Sequence, residues 1–442
     1  MHHYTGLKSV FILFHVFSIF CVITSYGFEV PAGERPENFF SDLKKSLQNI
    51  EGNSSVIRAK DYELSEAKAN QLIAESEKGL RIGINVYGQS IHEDRPNEGF
   101  YHRYRALNQV YLRKPVFHWG ALQAREEIGK LNKKLAQESL DRRIRSLRGE
   151  LRAVFLELVV LNYRIQLATE QVKLARQNVS SVGEKVKVGL STPLSLEEAK
   201  AEQLSREISL SAINIKLQRK TTQFVTLSGY TVPLNLDIPE AFWDFCLQHQ
   251  PSANFPVLVS SINSEEIEQL NIQVSIEEQK AIISDAELKP KINLNGAYFQ
   301  DQVDTLEAGQ NLDRNNFIVG LEANWAIWDS HKSKAQKRAA MARKAKFQHL
   351  IETKTRELRE SINSMIKELE SLQARIALAQ RLISVAQNRF EKSSLELSLN
   401  RISPLEHFSS VVGLDMAKIS NLETVCKYMV LLDQYEQAVG SE

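Results

Sequence analysis

Residues 188–199 read VGLSTPLSLEEA and interrupt what is otherwise one continuous helical pattern. Gly189 and Pro193 stand four positions apart, and the helical pattern resumes after them. Glycine readily adopts the left-handed conformation that closes a helix, and proline suits the first turn of the following helix. The stretch therefore predicts the tip of a helical hairpin, with Ser191 or Thr192 capping the second helix.

The helix before this tip carries an apolar seam whose positions alternate four and three residues apart. Such a spacing predicts a left-handed supercoil against a partner helix. From residue 121 to the tip the helix would measure roughly 100 Å at about 1.5 Å per residue, which is too long for a compact core. The seam consists of Leu140, Ile144, Leu147, Leu151, Val154, Leu158, Leu161, Ile165, Ala168, Val172, Ala175, Val179, Val182 and Val186.

The same arrangement occurs a second time, because a shift of 211 residues carries Pro193 onto Pro404. Twelve of the fourteen shifted seam positions are apolar. At the second tip Asn400 replaces Gly189, and Ser403 is the candidate cap of the following helix. We conclude that the chain is a tandem repeat. The second seam consists of Ile351, Thr355, Leu358, Ile362, Met365, Leu369, Leu372, Ile376, Ala379, Ile383, Ala386, Phe390, Ser393 and Leu397.

A pair of strand-like segments precedes each long helix, at residues 80–89 and 105–117 and again at 291–300 and 316–328. Each segment has about ten residues that alternate apolar with polar or small side chains, which is the length of a membrane-spanning strand. Two interpretations stay open at this point. The strands form a soluble sheet packed on helices, or they form part of a membrane barrel. In the second case several chains have to contribute, because four strands cannot close a barrel.

The ends of the chain and its middle suggest a division into segments. Lys8 precedes an apolar run at 10–24, which predicts a signal peptide cleaved after Gly27; an uncleaved anchor helix is the alternative. Four prolines interrupt the pattern between the two repeats. The predicted segments are a signal peptide at 1–27, a first repeat at 28–229, a Pro-containing equatorial connector at 230–262 and a second repeat at 263–442.

Composition and motifs exclude several classes of function. With 55 Lys and Arg against 54 Asp and Glu, the formal net charge of +1 gives no reason to expect a nucleic-acid partner. No phosphate-binding loop, nucleophile motif or His/Cys spacing typical of a metal site occurs, so we predict no enzymatic activity, no cofactor and no metal. Cys246 and Cys426 either form a disulfide or remain free thiols.

Several motifs together resemble the outer-membrane efflux protein family of TolC-like channels. They are K-x-G-L-S-T-P-L-S-L-E-E-A and N-R-I-S-P-L-E-H, each after a long seam, and the strand ends K-P-V-F-H-W-G and A-I-W-D-S. The resemblance implies a mainly α fold with a small β part. Long helical hairpins of three protomers would form an α-barrel tunnel in the periplasm. Four strands from each protomer would build a twelve-strand β-barrel in the bacterial outer membrane.

The resemblance also implies a function and a set of partners. A homotrimer of this kind is the exit duct of a tripartite efflux or type I secretion system, and it conducts substrates passively. Its partners are outer-membrane lipid, a periplasmic adaptor protein and an inner-membrane pump of the RND, ABC or MFS type. The alternative is a periplasmic coiled-coil adaptor, which would normally have one hairpin flanked by β-domains. The duplicated hairpin, each copy following a strand pair, favours the duct.

By the same resemblance, the helix tips dock on the adaptor and surround a gated aperture. At the aperture, three copies of Glu406 would form an acidic ring that favours cations. Glu406 is equally well explained as an acid that complements a helix N-terminus. Ser195 departs from the Asp that the family often has, and Arg401 either pairs across helices or faces solvent. The docking residues are Gly189, Leu190, Ser191, Pro193, Asn400, Ser403 and Pro404.

Overall fold

The computed structural model describes residues 35–96, 99–230, 233–248, 265–304 and 311–439. The predicted signal peptide at 1–27 lies outside these residues, as does much of the predicted connector. The helices follow a short 3-10 turn at Pro36–Asn38. They are α1 (Ser41–Gln48), α2 (Ile50–Asn53), α3 (Ser55–Ser76), α4 (Ala121–Lys187), α5 (Pro193–Ser228), α6 (Glu240–Gln248), α7 (Glu265–Ala286), α8 (Lys332–Ser398) and α9 (Pro404–Val439).

Two long helical hairpins dominate the structure and have identical helix lengths. The first helix of each hairpin, α4 or α8, has 67 residues, and the second, α5 or α9, has 36. The starts of α4 and α8 and the starts of α5 and α9 are separated by the predicted shift of 211 residues. The tandem repeat is therefore confirmed.

The apolar seams are the surfaces along which the helices pack. None of the fourteen seam positions in α4 or in α8 is exposed. The half of α4 nearer the tip packs on α5, with the ion pair Lys216–Glu157 at its edge, and the other half packs on α3 and α7. Helix α8 packs on α7 and α9 in the corresponding way. Each long helix thus buries its seam against shorter helices laid end to end.

The four strands form one antiparallel sheet in the order β1-β2-β3-β4. All four predicted strands were too short at the end that faces the connection within each pair, because the cross-strand pairing continues past the predicted limits. The fourth strand starts five residues before its predicted start and ends at Asn324, four residues before its predicted end at 328. The strands are β1 (Arg81–Arg95), β2 (Gly99–Phe117), β3 (Lys291–Asp304) and β4 (Asn311–Asn324).

The two faces of the sheet differ in polarity. Side chains of directly paired residues share a face, and the register joins Ile84, Val110, Tyr298 and Phe317 in one row across all four strands. Phe317 is 76% exposed, so no helix covers this apolar face at that row. The first interpretation required a sheet packed on helices, and the described residues do not show such packing on this face.

A tight turn connects the sheet to each long helix. Trp119 and Gly120 have φ values of 54° and 82°, and Ser330 and His331, 211 residues later, have values of 56° and 68°. Residues other than glycine rarely adopt this left-handed backbone conformation, so the turn stores backbone strain. The strand-to-helix junction is therefore built the same way in both repeats.

Aromatic side chains form the core where the start of the described chain meets α4 and α6. Phe40 lies with its ring centroid 5.2 Å from that of Phe155 and 5.0 Å from that of Phe242. Phe242 belongs to α6, a helix that sequence analysis did not predict because prolines surround it. At the start of this helix, the Pro239 carbonyl accepts a hydrogen bond from the backbone N–H of Phe242 at 3.0 Å. The apolar face of α6 then completes the core.

Cys246 and Cys426 are both buried in this core as free thiols. Burial disfavours the charged thiolate. It raises the pKa of Cys246 to about 12, and it also raises the pKa of Cys426. Both side chains therefore behave as small apolar groups of the core.

A buried arginine ties the start of the described chain to both hairpins. The guanidinium of Arg152 lies 2.7 Å from the Glu37 carboxylate and 2.6 Å from that of Asp433, and its side chain is only 12% exposed. Glu37 precedes α1, whereas Arg152 lies in α4 and Asp433 in α9. These two ion pairs, which we call the Arg152 clamp, thus join three parts of the chain that are distant in sequence.

We predict that Arg152→Ala destabilises the protein by about 3 kcal/mol, because it leaves two partly buried carboxylates without their partner. The control is Arg148→Ala, which removes the exposed pair with Glu51 at 3.3 Å and should cost about 0.5 kcal/mol or less. Guanidinium unfolding followed by circular dichroism measures both changes. Equal losses in the two variants would contradict the assignment of Arg152 as a clamp.

Candidate functional site at the helix tips

Both hairpin tips end their first helix with the same hydrogen-bonding pattern. At the first tip Leu190 N–H donates to the Lys185 carbonyl at 2.8 Å and Gly189 N–H donates to the Val186 carbonyl at 3.1 Å. This is a Schellman motif. Gly189 has a φ of 74°, as the motif requires.

The second tip repeats the motif without a glycine. Arg401 N–H donates to the Glu396 carbonyl and Asn400 N–H to the Leu397 carbonyl, both at 2.9 Å. Asn400 has a φ of 54°, which asparagine tolerates better than most residues. The predicted left-handed residues at the two tips are therefore confirmed.

The returning helices begin at Pro193 and Pro404, as predicted. In the first, Thr192 Oγ1 accepts a hydrogen bond from the Ser195 N–H at 3.2 Å. The cap is thus Thr192 and not Ser191. In the second, Ser403 Oγ accepts from the Glu406 N–H at 3.2 Å.

Glu406 completes a capping box that the first tip lacks. Its Oε2 accepts hydrogen bonds from the Ser403 N–H at 2.8 Å and from the Ser403 hydroxyl at 3.1 Å. These bonds hold the pKa of the Glu406 carboxyl below its usual value, so it stays charged at neutral pH. Ser195, at the equivalent place, is too short for this role and its hydroxyl bonds to Thr192 at 2.7 Å.

The residues that follow the two turns differ in character. Leu190 is 79% exposed, and at the first tip Val188 and Leu194 are exposed beside it. Arg401, the equivalent of Leu190, is also exposed, and its side chain has no ion pair with another described residue. The first tip therefore presents an apolar surface to solvent. The second tip presents the positive charge of Arg401 and the negative charge of Glu406.

Behind the second tip lies a polar cluster that sequence analysis missed. Ser393 Oγ lies 3.0 Å from Nδ1 of His407 and also contacts the Ser410 hydroxyl, which donates to the His407 carbonyl at 2.6 Å. The only sequence signal was that Ser393 is a polar residue in the apolar seam. The equivalent first-tip residues are Val182, Leu196 and Ala199. The two hairpins are thus closed by different chemistry.

The described residues contain no group of three or more His, Cys, Asp or Glu side chains arranged to hold a metal ion. In the same part of the chain, no helix combines the length and apolar character needed to cross a bilayer.

Residues 46–230 match the sequence profile of a family described as outer membrane efflux protein. This segment runs from within α1 to just past the end of α5, so it contains β1, β2 and the first hairpin. No curated protein matches the sequence.

Solved structures of bacterial channels share the fold. The Campylobacter jejuni CmeC outer membrane channel has a TM-score of 0.75 at 12% identity, with 92% of this chain and 87% of that chain covered. The outer membrane protein VceC from Vibrio cholerae has a TM-score of 0.71 at 13% identity, with 93% and 99% covered. The open-state MtrE outer membrane channel of Neisseria gonorrhoeae has a TM-score of 0.68 at 12% identity, with 93% of each chain covered.

We predict that Gly189→Ala loosens the first tip by about 1 kcal/mol, because alanine is strained at positive φ. Hydrogen exchange of the Gly189 and Leu190 amides should then accelerate roughly fivefold. Gly413→Ala is the matched control, since both glycines have open space around them but Gly413 lies inside α9 at negative φ. It should slow exchange in its helix. Acceleration in both variants, or in neither, would contradict the backbone explanation.

Proposed function

Because residues 46–230 belong to the outer membrane efflux protein family, we propose that this protein is the exit duct of a tripartite efflux or type I secretion system. The protein lies in the outer membrane, with its helical part in the periplasm. In this proposal it conducts substrates passively and catalyses no reaction. The observation that carries the proposal is the bare apolar face of a four-stranded sheet joined to two hairpins of roughly 100 Å.

The edges of the sheet support a homotrimer. Strands β1 and β4 are the two edges of the sheet order, and an open sheet edge is not tolerated in the hydrocarbon region. Pairing of β4 in one protomer with β1 in the next satisfies both edges. Three protomers then close a twelve-strand barrel, and their helices surround a periplasmic tunnel.

The two faces of the sheet suit the two sides of such a barrel. The apolar face would contact lipid. On the opposite face, the Arg105 guanidinium donates two hydrogen bonds to the Asp301 carboxylate, both at 2.8 Å. The same face carries the contact between the side chains of Asn85 and Gln109. Charged and amide side chains of this kind line the water-filled interior of a barrel.

At the tips, the proposal places the aperture of the duct. Glu406 is charged and exposed, so three copies at the narrow end would form an acidic ring that favours cations. Ser195 adds no charge, and the ring therefore depends on the second tip alone. Arg401 would pair with a carboxylate of a neighbouring helix when the tips are closed. Movement of the tips would open the duct.

The same tips are the proposed docking surface for a periplasmic adaptor, which couples the duct to an inner-membrane pump of the RND, ABC or MFS type. The exposed apolar side chains of the first tip support this assignment. The proposed docking residues are Gly189, Leu190, Ser191, Pro193, Asn400, Ser403 and Pro404. The division into repeats at 28–229 and 263–442, with a connector at 230–262, stays a prediction.

Single-particle imaging of the mature protein in detergent tests the proposal. A three-fold cylinder roughly 130 Å long, with a detergent belt at one end, is the expected result, from the helical length plus about ten tilted strand residues. A monomer without a belt would instead favour the alternative, a periplasmic coiled-coil adaptor.

We predict that Val319→Arg blocks membrane assembly, because arginine on a lipid-facing strand costs about 2–4 kcal/mol near the bilayer midplane. Ile318→Arg is the matched control, since the neighbouring residue points to the polar face of the same strand. Heat-resistant trimers in membrane fractions, resolved by gel electrophoresis, measure assembly. Normal trimers of the Val319 variant would refute the lipid-facing assignment.

We predict that Glu406→Gln lowers the cation preference of the channel, measured as the reversal potential across a planar bilayer with a salt gradient. Glutamine can keep the capping box while removing the charge, so helix stability should hardly change. Glu63→Gln removes an exposed carboxylate far from the tips along the chain and should leave the potential unchanged. An unchanged potential in the Glu406 variant would remove this residue from the constriction.

A further inference from the structure

Among the described residues, the hairpin of β1 and β2 extends beyond the pairing of β2 with β3. The last β2 residue that pairs with β3 is Arg105, whereas β1 and β2 remain paired to the end of the hairpin. The six pairs from Ser90–Tyr104 to Arg95–Gly99 therefore form a two-stranded ribbon. An isolated two-stranded ribbon is marginally stable in water, so this ribbon needs contacts of its own.

Two histidines face each other in this ribbon. His92 is directly opposite His102 in the register, so both side chains lie on the same face. Their rings are stacked with centroids 4.4 Å apart and an angle of 9° between the ring planes. Both side chains are exposed to solvent, which leaves them open to a ligand.

The two imidazoles also point the same nitrogen at one place. Ser90 Oγ lies 2.7 Å from Nε2 of His102 and 3.2 Å from Nε2 of His92. The hydroxyl has one proton, so it donates to one ring and accepts from the other. The Nε2 atoms of His92 and His102, on adjacent strands, thus both face one position, which the Ser90 hydroxyl occupies.

We propose that His92 and His102 form a binding site for a divalent transition-metal ion, with Cu²⁺ bound most tightly. Imidazole nitrogen suits Cu, Ni and Zn, and the affinity of a given nitrogen site is highest for Cu²⁺ among these ions. Metal–nitrogen bonds are about 2.0–2.1 Å long, and rotation of the two exposed side chains adjusts the nitrogen positions to this distance. Water completes the coordination shell, since the protein supplies only two ligands.

The surroundings favour a cation at this site. Asp94 lies two residues from His92 on the same face of the ribbon, and its side chain is exposed. A bound ion would link β1 to β2 where no third strand pairs with them in the part of the chain that the structure describes. The site lies at the end of the sheet remote from the helices, and its existence does not depend on the proposed transport function.

The test uses the mature full-length protein in detergent, stripped with EDTA and titrated with Cu²⁺ alone while electron paramagnetic resonance is recorded. The expected result is one tightly bound ion per chain, with splitting from two imidazole nitrogens. His92→Asn and His102→Asn should each weaken binding by roughly 10-fold or more. Ser90→Ala should retain binding, because its hydroxyl only occupies the volume that the ion takes.

His349→Asn is the control, because His349 is an exposed histidine on α8 and its loss should leave binding unchanged. The variants are compared at equal oligomeric state, judged by size-exclusion chromatography. Unchanged affinity in both hairpin variants, splitting from a single nitrogen, or no saturable binding to the wild type would each overturn the proposal. The stacked pair would then be a packing contact within a row of aromatic side chains with Phe100 and Tyr104.

Discussion

A helix of 67 residues has to bury an apolar seam along its whole length, and most of the structure follows from this constraint. No single neighbouring helix reaches far enough. The chain therefore turns back at a tip and packs α5 along the half of α4 nearer that tip. Helices α3 and α7 pack along the other half. Near the interruption between those helices, α6 and the start of the described chain come together. The aromatic core and the Arg152 clamp lie at this level.

The tips show how little sequence is needed to reverse such a long element. A left-handed residue, two backbone hydrogen bonds and a capping hydroxyl suffice at both. The first tip achieves this with glycine and a threonine cap. The second uses asparagine and adds the carboxylate of Glu406 to its cap. The charge that we propose to act at the aperture is therefore also a structural group, and the two roles separate only in a variant that keeps the hydrogen bonds and removes the charge.

Periodicity explains what could be predicted from the sequence. The heptad spacing revealed the seams, and the period of two revealed the two faces of β1, β3 and β4, because burial along one element repeats at its own period. The tip residues were predictable since their conformations are local. Helix α6 and the strand extensions were not, because they depend on packing and pairing with distant residues. The same holds for Ser393, His407 and Ser410, which meet only once the hairpin is closed.

The equal lengths of the two hairpins also constrain how this chain can change during evolution. Inserting one residue into α4 would rotate everything beyond it by about 100° and move the tip by about 1.5 Å. The rotated seam would face solvent, and the first tip would no longer be level with the second. An insertion is therefore tolerated only if α5, α8 and α9 change with it, or if it amounts to whole heptads in all four. Helix length here is a property that the two repeats hold in common, so point substitutions can accumulate in each repeat separately while changes in length cannot.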